Sequence, residues 1–278
     1  MIEIFKTNIR EAEQVLKALT NIFPDADITS DPGNGGQLIR VEAPVIHSDK
    51  IISTIKELGF ECAIQEDETG AFWESSFIEK QTMWGFEPAE STILAKDFFI
   101  EEGIKDILIP GIGYGRNAKL FVDNGIKVTG IEISKTAIDL AKSHYGDEMK
   151  IYHGSVTAMP FDHHLYDGIF SYGLIYLLDT EERKKFIRDC YAQLQPNGYL
   201  FFSVISKQSP NYGMGKQIGK HRFEATKGAK IFFYDEESVK EEFGKYGLVD
   251  FFEIDEPNKV MPDKPAFRFI IIKCKKEG

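Results

Sequence analysis

The chain has 278 residues, enough for one large or two smaller domains. Its 42% hydrophobic and 28% charged residues suit a globular protein with a full core, and a net charge of −11 argues against a nucleic-acid partner unless a basic patch is concentrated somewhere. No apolar run approaches the roughly 20 residues of a membrane span, and the start lacks the basic-then-apolar pattern of a signal peptide. The cysteines Cys62, Cys190 and Cys274 are far apart, which suits a reducing compartment and makes no metal site, so a cytoplasmic protein without membrane contact is expected.

Residues 1–67 read as a small α+β unit. Ile2 to Phe5 is a short strand, and Asn8 with Glu11 has the spacing of a capping box before a helical stripe of Val15, Leu16, Leu19 and Ile22. Strands over 27–30 and 37–43 flank the turn-rich Asp31 to Gly36. Ser48 is placed to cap a second helix carrying Ile51, Ile52, Ile55 and Leu58, which Gly59 stops, and 61–64 is a last strand. The order βαββαβ is that of a ferredoxin-like sandwich. It is similar in length and order to the small heavy-metal-associated domains, which hold metal through a Cys-x-x-Cys in the first loop. The matching loop around Thr7 and Asn8 has no cysteine, so no metal is expected. The unit reads as a docking or dimerisation module, and the acidic 65–70 as a linker.

Residues 72–88 hold both tryptophans. Trp73 reads as a core anchor; Trp84, beside Gly85, reads equally as a core anchor or as an aromatic face over a ligand. A helix follows over 89–102. Ile107 to Ile109 is a buried-type strand, Gly111, Gly113 and Gly115 follow it, and a helix starts near Asn117. Such glycines let the backbone turn sharply and approach a ligand. The spacing is not the Gly-x-Gly-x-x-Gly of dinucleotide folds, because Arg116 stands at the third glycine. A second strand, Lys127 to Ile131, ends in Glu132, where a carboxylate can accept both hydroxyls of an adenosine ribose. Ser134 then caps a helix with Ala137, Ile138 and Ala141 on one face. Strands over 149–153 and 166–171, a helix over 181–194, and a tight turn over 194–198 into a strand at 199–206 complete the α/β alternation. A basic, glycine-bearing segment at 207–230, a helix at 235–246 and an antiparallel pair at 249–255 and 266–273 close the chain.

From residue 71 to 278 these motifs resemble the class I S-adenosylmethionine (SAM)-dependent methyltransferases. That resemblance implies a Rossmann-like α/β domain with a seven-stranded sheet. Gly111, Gly113, Gly115 and Glu132 match its first two motifs, and the match implies cofactor contacts from Ile112, Arg116, Asn117, Ile133 and Ser171. In the third motif Ser155 stands at the acidic position that accepts the adenine amino group, and Val156 offers its N–H and an apolar wall. The approach to the first motif resembles the tellurite-resistance and thiopurine branch, in which an aromatic segment covers the cofactor; Trp84 is the matching residue. Ile109 stands where the family usually has a carboxylate.

Methyl transfer is a displacement that the cofactor itself activates, and a base is needed only where the acceptor's pKa demands one. No catalytic residue is assigned from sequence. Tyr172 and Tyr176, at the carboxyl end of the fourth strand, are expected to touch the acceptor. Ser171 to Leu174 cannot serve as the Asn/Asp-Pro-Pro-Tyr of DNA amino-methyltransferases, which with the acidic net charge argues for a small-molecule acceptor and no nucleic acid. Residues 207–230 are expected to form a lid, with Arg222 gripping an oxyanion in two places. Two readings stand: a methyltransferase for an anionic, thiol or chalcogen acceptor, or a non-catalytic protein that binds SAM or S-adenosylhomocysteine and acts through its N-terminal module.

Overall fold

The structure of the chain, a computed structural model, describes residues 2–33, 36–43, 45–64, 68–225, 229–257 and 266–278. The chain divides into two compact units, Met1–Ser76 and Phe77–Gly278.

The first unit runs β1 (Ile2–Thr7), α1 (Glu13–Ile22), β2 (Asp27–Gly33), β3 (Gly36–Glu42), α2 (Ser48–Glu57) and β4 (Cys62–Ile64). Its strands lie in the order β2-β3-β1-β4, and every neighbouring pair is antiparallel. The expected stripes of the two helices, Val15 and Leu19 with Ile51 and Ile55, share one core with Phe5 and Ile39. The two expected caps do not form. The helix α1 starts at Glu13 behind Ala12, and Asn8 instead accepts the Glu61 N–H at 2.9 Å. Ser48 is itself the first residue of α2, and its hydroxyl donates to Glu3 at 2.6 Å. In both cases a tertiary partner outcompetes the local cap. A further helix, α3 (Glu68–Lys80), takes in Thr69 and Gly70, which were expected in a linker; residues 65–67 of that linker lie outside the described residues.

The second unit contains α4 (Glu90–Glu101), β5 (Asp106–Pro110), α5 (Arg116–Asp123), β6 (Lys127–Glu132), α6 (Lys135–Tyr145), β7 (Lys150–His153), β8 (Tyr166–Tyr172), α7 (Thr180–Ala192), β9 (Leu194–Ile205), β10 (Lys216–Gly219), β11 (Arg222–Glu224), β12 (Lys230–Phe232), α8 (Glu236–Phe243), β13 (Leu248–Glu256) and β14 (Phe267–Lys275). Seven of these strands form one sheet, β13-β14-β9-β8-β5-β6-β7. The five central and outer strands from β9 to β7 pair in parallel, and β14 and β13 add antiparallel. The parallel strands are covered on both faces, which is why Ile107, Leu108 and Ile109 form an unbroken apolar run, each at most 3% exposed. Phe99 of α4 and Phe121 of α5 pack onto that core with Phe170 and Phe201.

The chain leaves β5 toward β6 and β7, then returns across β5 to β8 and β9. The carboxyl ends of β5 and β8 therefore flank the switch point, the place where open α/β sheets bind ligands.

Two expected connections differ. The turn at 194–198 is absorbed into β9 as a bulge: Tyr166 pairs with Leu194 while Gly168 pairs with Tyr199, and Asn197 takes a left-handed φ of 65°. Residues 207–230 contain strands where a loop was expected. Lys216–Gly219 and Arg222–Glu224 pair with Lys230–Phe232 in a separate sheet, β10-β11-β12; residues 226–228 lie outside the described residues. Phe223 packs there with Phe233, Ile205 and Phe269. The basic character is answered in part, since Lys207 pairs with Asp235 at 2.9 Å and Lys220 approaches Glu237 at 3.6 Å. Among the described residues no helix is long and apolar enough to cross a membrane.

Candidate functional site

The turn after β5 takes Gly111, Gly113 and Gly115 through φ values of 71°, 58° and 84°, a region that side chains with a Cβ avoid. The N–H groups of Gly111 and Ile112 both donate to the Ile131 carbonyl, at 2.8 and 3.1 Å, so the turn is stapled to the end of β6. Gly130 makes this possible: a Cβ there would lie 2.6 Å from Ile112 Cδ1. At Gly113 a Cβ would meet Phe77 Cζ at 3.9 Å, an ordinary contact, so its left-handed φ rather than crowding calls for glycine.

Glu132 is only 5% exposed. One carboxylate oxygen accepts the Gly113 N–H at 2.8 Å and the other accepts the Ser134 N–H at 2.9 Å. It thereby joins the glycine turn to the first turn of α6, which Ser134 caps through the Ala137 N–H at 3.0 Å, as expected from sequence. Ile133 is half-buried, and its carbonyl accepts from His153 Nε2–H at 3.0 Å.

The hydroxyl of Ser155 is engaged locally, 2.8 Å from Thr157 Oγ1 and 3.3 Å from the Thr157 N–H that it accepts. Val156 is buried beside it. Ser171, at the end of β8, is 1% exposed, and its hydroxyl has no hydrogen-bond partner among the described residues. A buried hydroxyl left without a partner costs free energy unless something supplies the bond.

Arg116 and Asn117 hold the segment before α4. Arg116 Nη1 donates to the Glu87 carbonyl at 2.8 Å, and Asn117 Oδ1 accepts the Ala89 N–H at 3.0 Å. Trp84 is 49% exposed and lies parallel to the Tyr114 ring, with centroids 6.2 Å apart. Sequence reasoning passed over Tyr114. Its ring is 1% exposed, and its hydroxyl donates to the Gly85 carbonyl at 2.7 Å and accepts the Trp84 N–H at 3.2 Å. The available signal was an aromatic residue standing between two glycines of the turn.

Tyr172 and Tyr176 come together at the carboxyl end of β8. Burial, with the charge of Glu256 close by, pushes both phenols well above their ordinary pKa. Tyr172 donates to Glu256 Oε1 at 2.5 Å. Glu256 was also missed from sequence, being one acid among many just ahead of a proline. It is 5% exposed, and its other oxygen accepts both the N–H (2.9 Å) and the hydroxyl of Ser91. It supplies the carboxylate at the start of α4, whose own N-cap residue, Ala89, has no side-chain bond to offer.

Arg222 is not brought to the tyrosines. Strand alternation on β11 turns Phe223 toward the cluster that contains Tyr176, and Arg222 to the opposite face. There Arg222 Nη1 donates to the Leu178 carbonyl at 2.7 Å. Burial and the neighbouring Arg183 charge push its pKa down. It lines a cleft of about 710 Å³ whose walls carry five Lys or Arg and five Asp or Glu residues, and hence no net charge. Among the described residues no group of side chains is arranged to hold a metal ion.

The left-handed glycine turn, the strand-end carboxylate Glu132, the apolar Val156 and the unsatisfied hydroxyl of Ser171 suit a nucleoside with a polar tail laid across the switch point. Comparisons with known proteins agree. Residues 108–202 match the family model described as Methyltransferase domain. The chain is 29% identical over 112 residues to the ubiquinone biosynthesis O-methyltransferase of Nitrosospira multiformis, covering 39% of this chain and 46% of that protein. It is 26% identical over 177 residues to thiocyanate methyltransferase 1 of Arabidopsis thaliana, covering 62% and 70%. The chain thus spans about half the length of the first of these relatives. The solved Burkholderia thailandensis 1,6-didemethyltoxoflavin-N1-methyltransferase, with 1,6-didemethyltoxoflavin and S-adenosylhomocysteine bound, superposes with a TM-score of 0.56 at 16% identity, covering 90% of this chain and 100% of that one. At that identity the likeness bears on the fold. The expected Rossmann-like sheet therefore holds at the level of the fold, and residues 108–202 are similar to a methyltransferase domain, a family that uses SAM as its cofactor.

Proposed function

We propose that the chain transfers the methyl group of SAM to a small-molecule acceptor at the switch point between β5 and β8. The observation that carries this reading is the meeting there of the left-handed glycine turn, buried Glu132 and the Tyr172–Tyr176 pair. In this reading Glu132 takes the ribose hydroxyls, Ile133 and Val156 flank the adenine, Ser155 offers a polar atom to its edge, and Gly111 to Asn117 with Ser171 hold the methionyl portion. Trp84 covers the cofactor, in keeping with the tellurite-resistance and thiopurine branch, and Arg222, on the far face of β11 from the tyrosines, takes an anionic tail only of an acceptor long enough to pass the turn at Leu178 into its cleft. The two relatives by sequence act, by name, in ubiquinone biosynthesis and on thiocyanate; both suit a small acceptor. The N-terminal unit, with its βαββαβ order, reads as a ferredoxin-like docking module, and concentration-dependent sedimentation of the full chain tests whether it joins two copies.

Calorimetric titration with SAM and with NADH tests the cofactor assignment: SAM binds and NADH does not. Turnover of labelled SAM with a panel of phenols, thiols and anions tests the activity. A chain that binds SAM and methylates nothing would be the non-catalytic binder instead. In the same panel Arg222→Ala raises KM for carboxylate-bearing acceptors about 10-fold, the scale of one charge-assisted hydrogen bond, and leaves SAM affinity alone. Equal KM values would remove Arg222 from the site.

A further inference from the structure

Glu256 is a buried carboxylate that makes no ion pair among the described residues. Taking such a charge out of water is costly, and here hydrogen bonds alone answer it. Those bonds divide between its two oxygens. Oε2 receives both Ser91 bonds and so completes the start of α4. Among the described residues Oε1 receives only the Tyr172 hydroxyl, at 2.5 Å, and that bond is not needed for the cap. It links the carboxylate to the carboxyl end of β8.

The direction of that bond matters. Tyr172 points its proton at Glu256, which leaves the lone pairs of its own oxygen for a donor on the other side. A hydroxyl that both accepts a proton and passes one on to a fixed carboxylate is a relay. The titratable groups beside the pair are Arg116 of α5, with its guanidinium carbon 5.8 Å from the Tyr172 ring centroid, and Tyr176 in the turn after β8. Neither bonds the Tyr172 oxygen among the described residues. Phe269 faces the Tyr172 ring at an interplanar angle of 30° with centroids 6.0 Å apart, and Tyr176 packs with Phe223, Phe233 and Phe269, so the surroundings suit a flat aromatic molecule.

We propose, building on the methyltransferase reading above, that the acceptor is a phenol bound with its proton still on, and that Tyr172 passes this proton to Glu256 as the methyl group moves. The phenol oxygen supplies the electron pair for the new O–CH3 bond. The C–S bond breaks, and its electrons stay on sulfur. The phenol proton goes to the Tyr172 oxygen while the Tyr172 proton goes to Glu256 Oε1. The sulfonium and the carboxylate thus lose their charges together, and no cationic ether is left in a buried site. An acceptor without a proton, such as thiocyanate or a thiolate, has no use for this path.

Glu256 acts through Tyr172, so its test needs more than lost activity. Phenol and 4-nitrophenol are compared with the full chain, Tyr172→Phe and Glu256→Gln. Phenol keeps its proton up to a pKa of about 10, whereas 4-nitrophenol is already ionised near neutral pH. Glutamine retains an oxygen for Ser91 and cannot take the proton; phenylalanine retains the ring. Both variants are expected to lose roughly 100-fold or more in kcat on phenol, the scale of general-base help. On 4-nitrophenol they should stay within about threefold, and raising the pH should restore much of the loss on phenol. Calorimetric SAM affinity should not move. Equal losses on the two phenols, no loss on phenol, or a wild-type chain that binds SAM but methylates only proton-free acceptors or neither phenol would overturn the relay. A wild-type chain that fails to bind SAM would overturn the methyltransferase reading instead. Should Glu256→Gln not fold, Tyr172→Phe decides alone.

Discussion

Replacing Arg183 with alanine is expected to lower the unfolding free energy by about 3–5 kcal/mol, the cost of leaving one member of a buried ion pair alone. The side chains of Arg183 and Glu242 are 3% and 8% exposed and meet at 2.9 Å. The guanidinium also donates to the Leu178 carbonyl at 3.2 Å and lies 3.9 Å from the centroid of the Phe232 ring. Alanine would strand Glu242, whose remaining hydrogen bond comes from the Tyr234 hydroxyl at 2.7 Å. Urea unfolding followed by circular dichroism measures the loss. Changing both partners to methionine should recover most of it, because the stranded charge goes with the pair. A loss of about 1 kcal/mol or less for the alanine variant would mean that the pair behaves as a surface bridge. Arg183 and Arg222 bond the same carbonyl, so this pair also sets the turn that follows Tyr176.

Glu132→Ala is expected to weaken SAM binding by about 1.5–3 kcal/mol, or roughly 10- to 100-fold, the range for hydrogen bonds to an ionised group. The substitution also releases the Gly113 and Ser134 N–H groups, which loosens the turn itself. Glutamine keeps one acceptor but turns an NH2 toward the other N–H, so it should recover only part of the affinity. Calorimetry on a variant shown to be folded by its melting curve decides the matter; unchanged affinity would take Glu132 out of the cofactor site.

What could be read from the chain alone follows how local each cause is. Strand, glycines and helix lie in one stretch from Ile107 to Phe121, and Glu132 is the last residue of the next strand. Their roles need no distant partner to be guessed. The caps at Asn8 and Ser48 were misread because their local patterns are correct and lose to the Glu61 N–H and to Glu3. The segment 207–230 looks like a charged loop because glycine and lysine mask the alternation around Phe223, and because Asp235 and Glu237, which answer two of its lysines, stand outside it. Tyr114 and Glu256 were invisible for the same reason. Tyr114 works through Gly85, 29 residues away, and Glu256 through Ser91, 165 residues away.

That last separation sets an order of assembly. A ribosome adding about 5–20 residues per second makes the first turn of α4 roughly ten to thirty seconds before the carboxylate that completes it. Throughout that interval the N–H of Ser91 lacks its anchor, and the hydroxyl of Tyr172, 84 residues ahead of Glu256, lacks it for about half as long, while Gly113 and Glu132, 19 residues apart, can already meet. The nascent chain thus closes its glycine turn early and the Ser91–Tyr172 side only when the penultimate strand arrives.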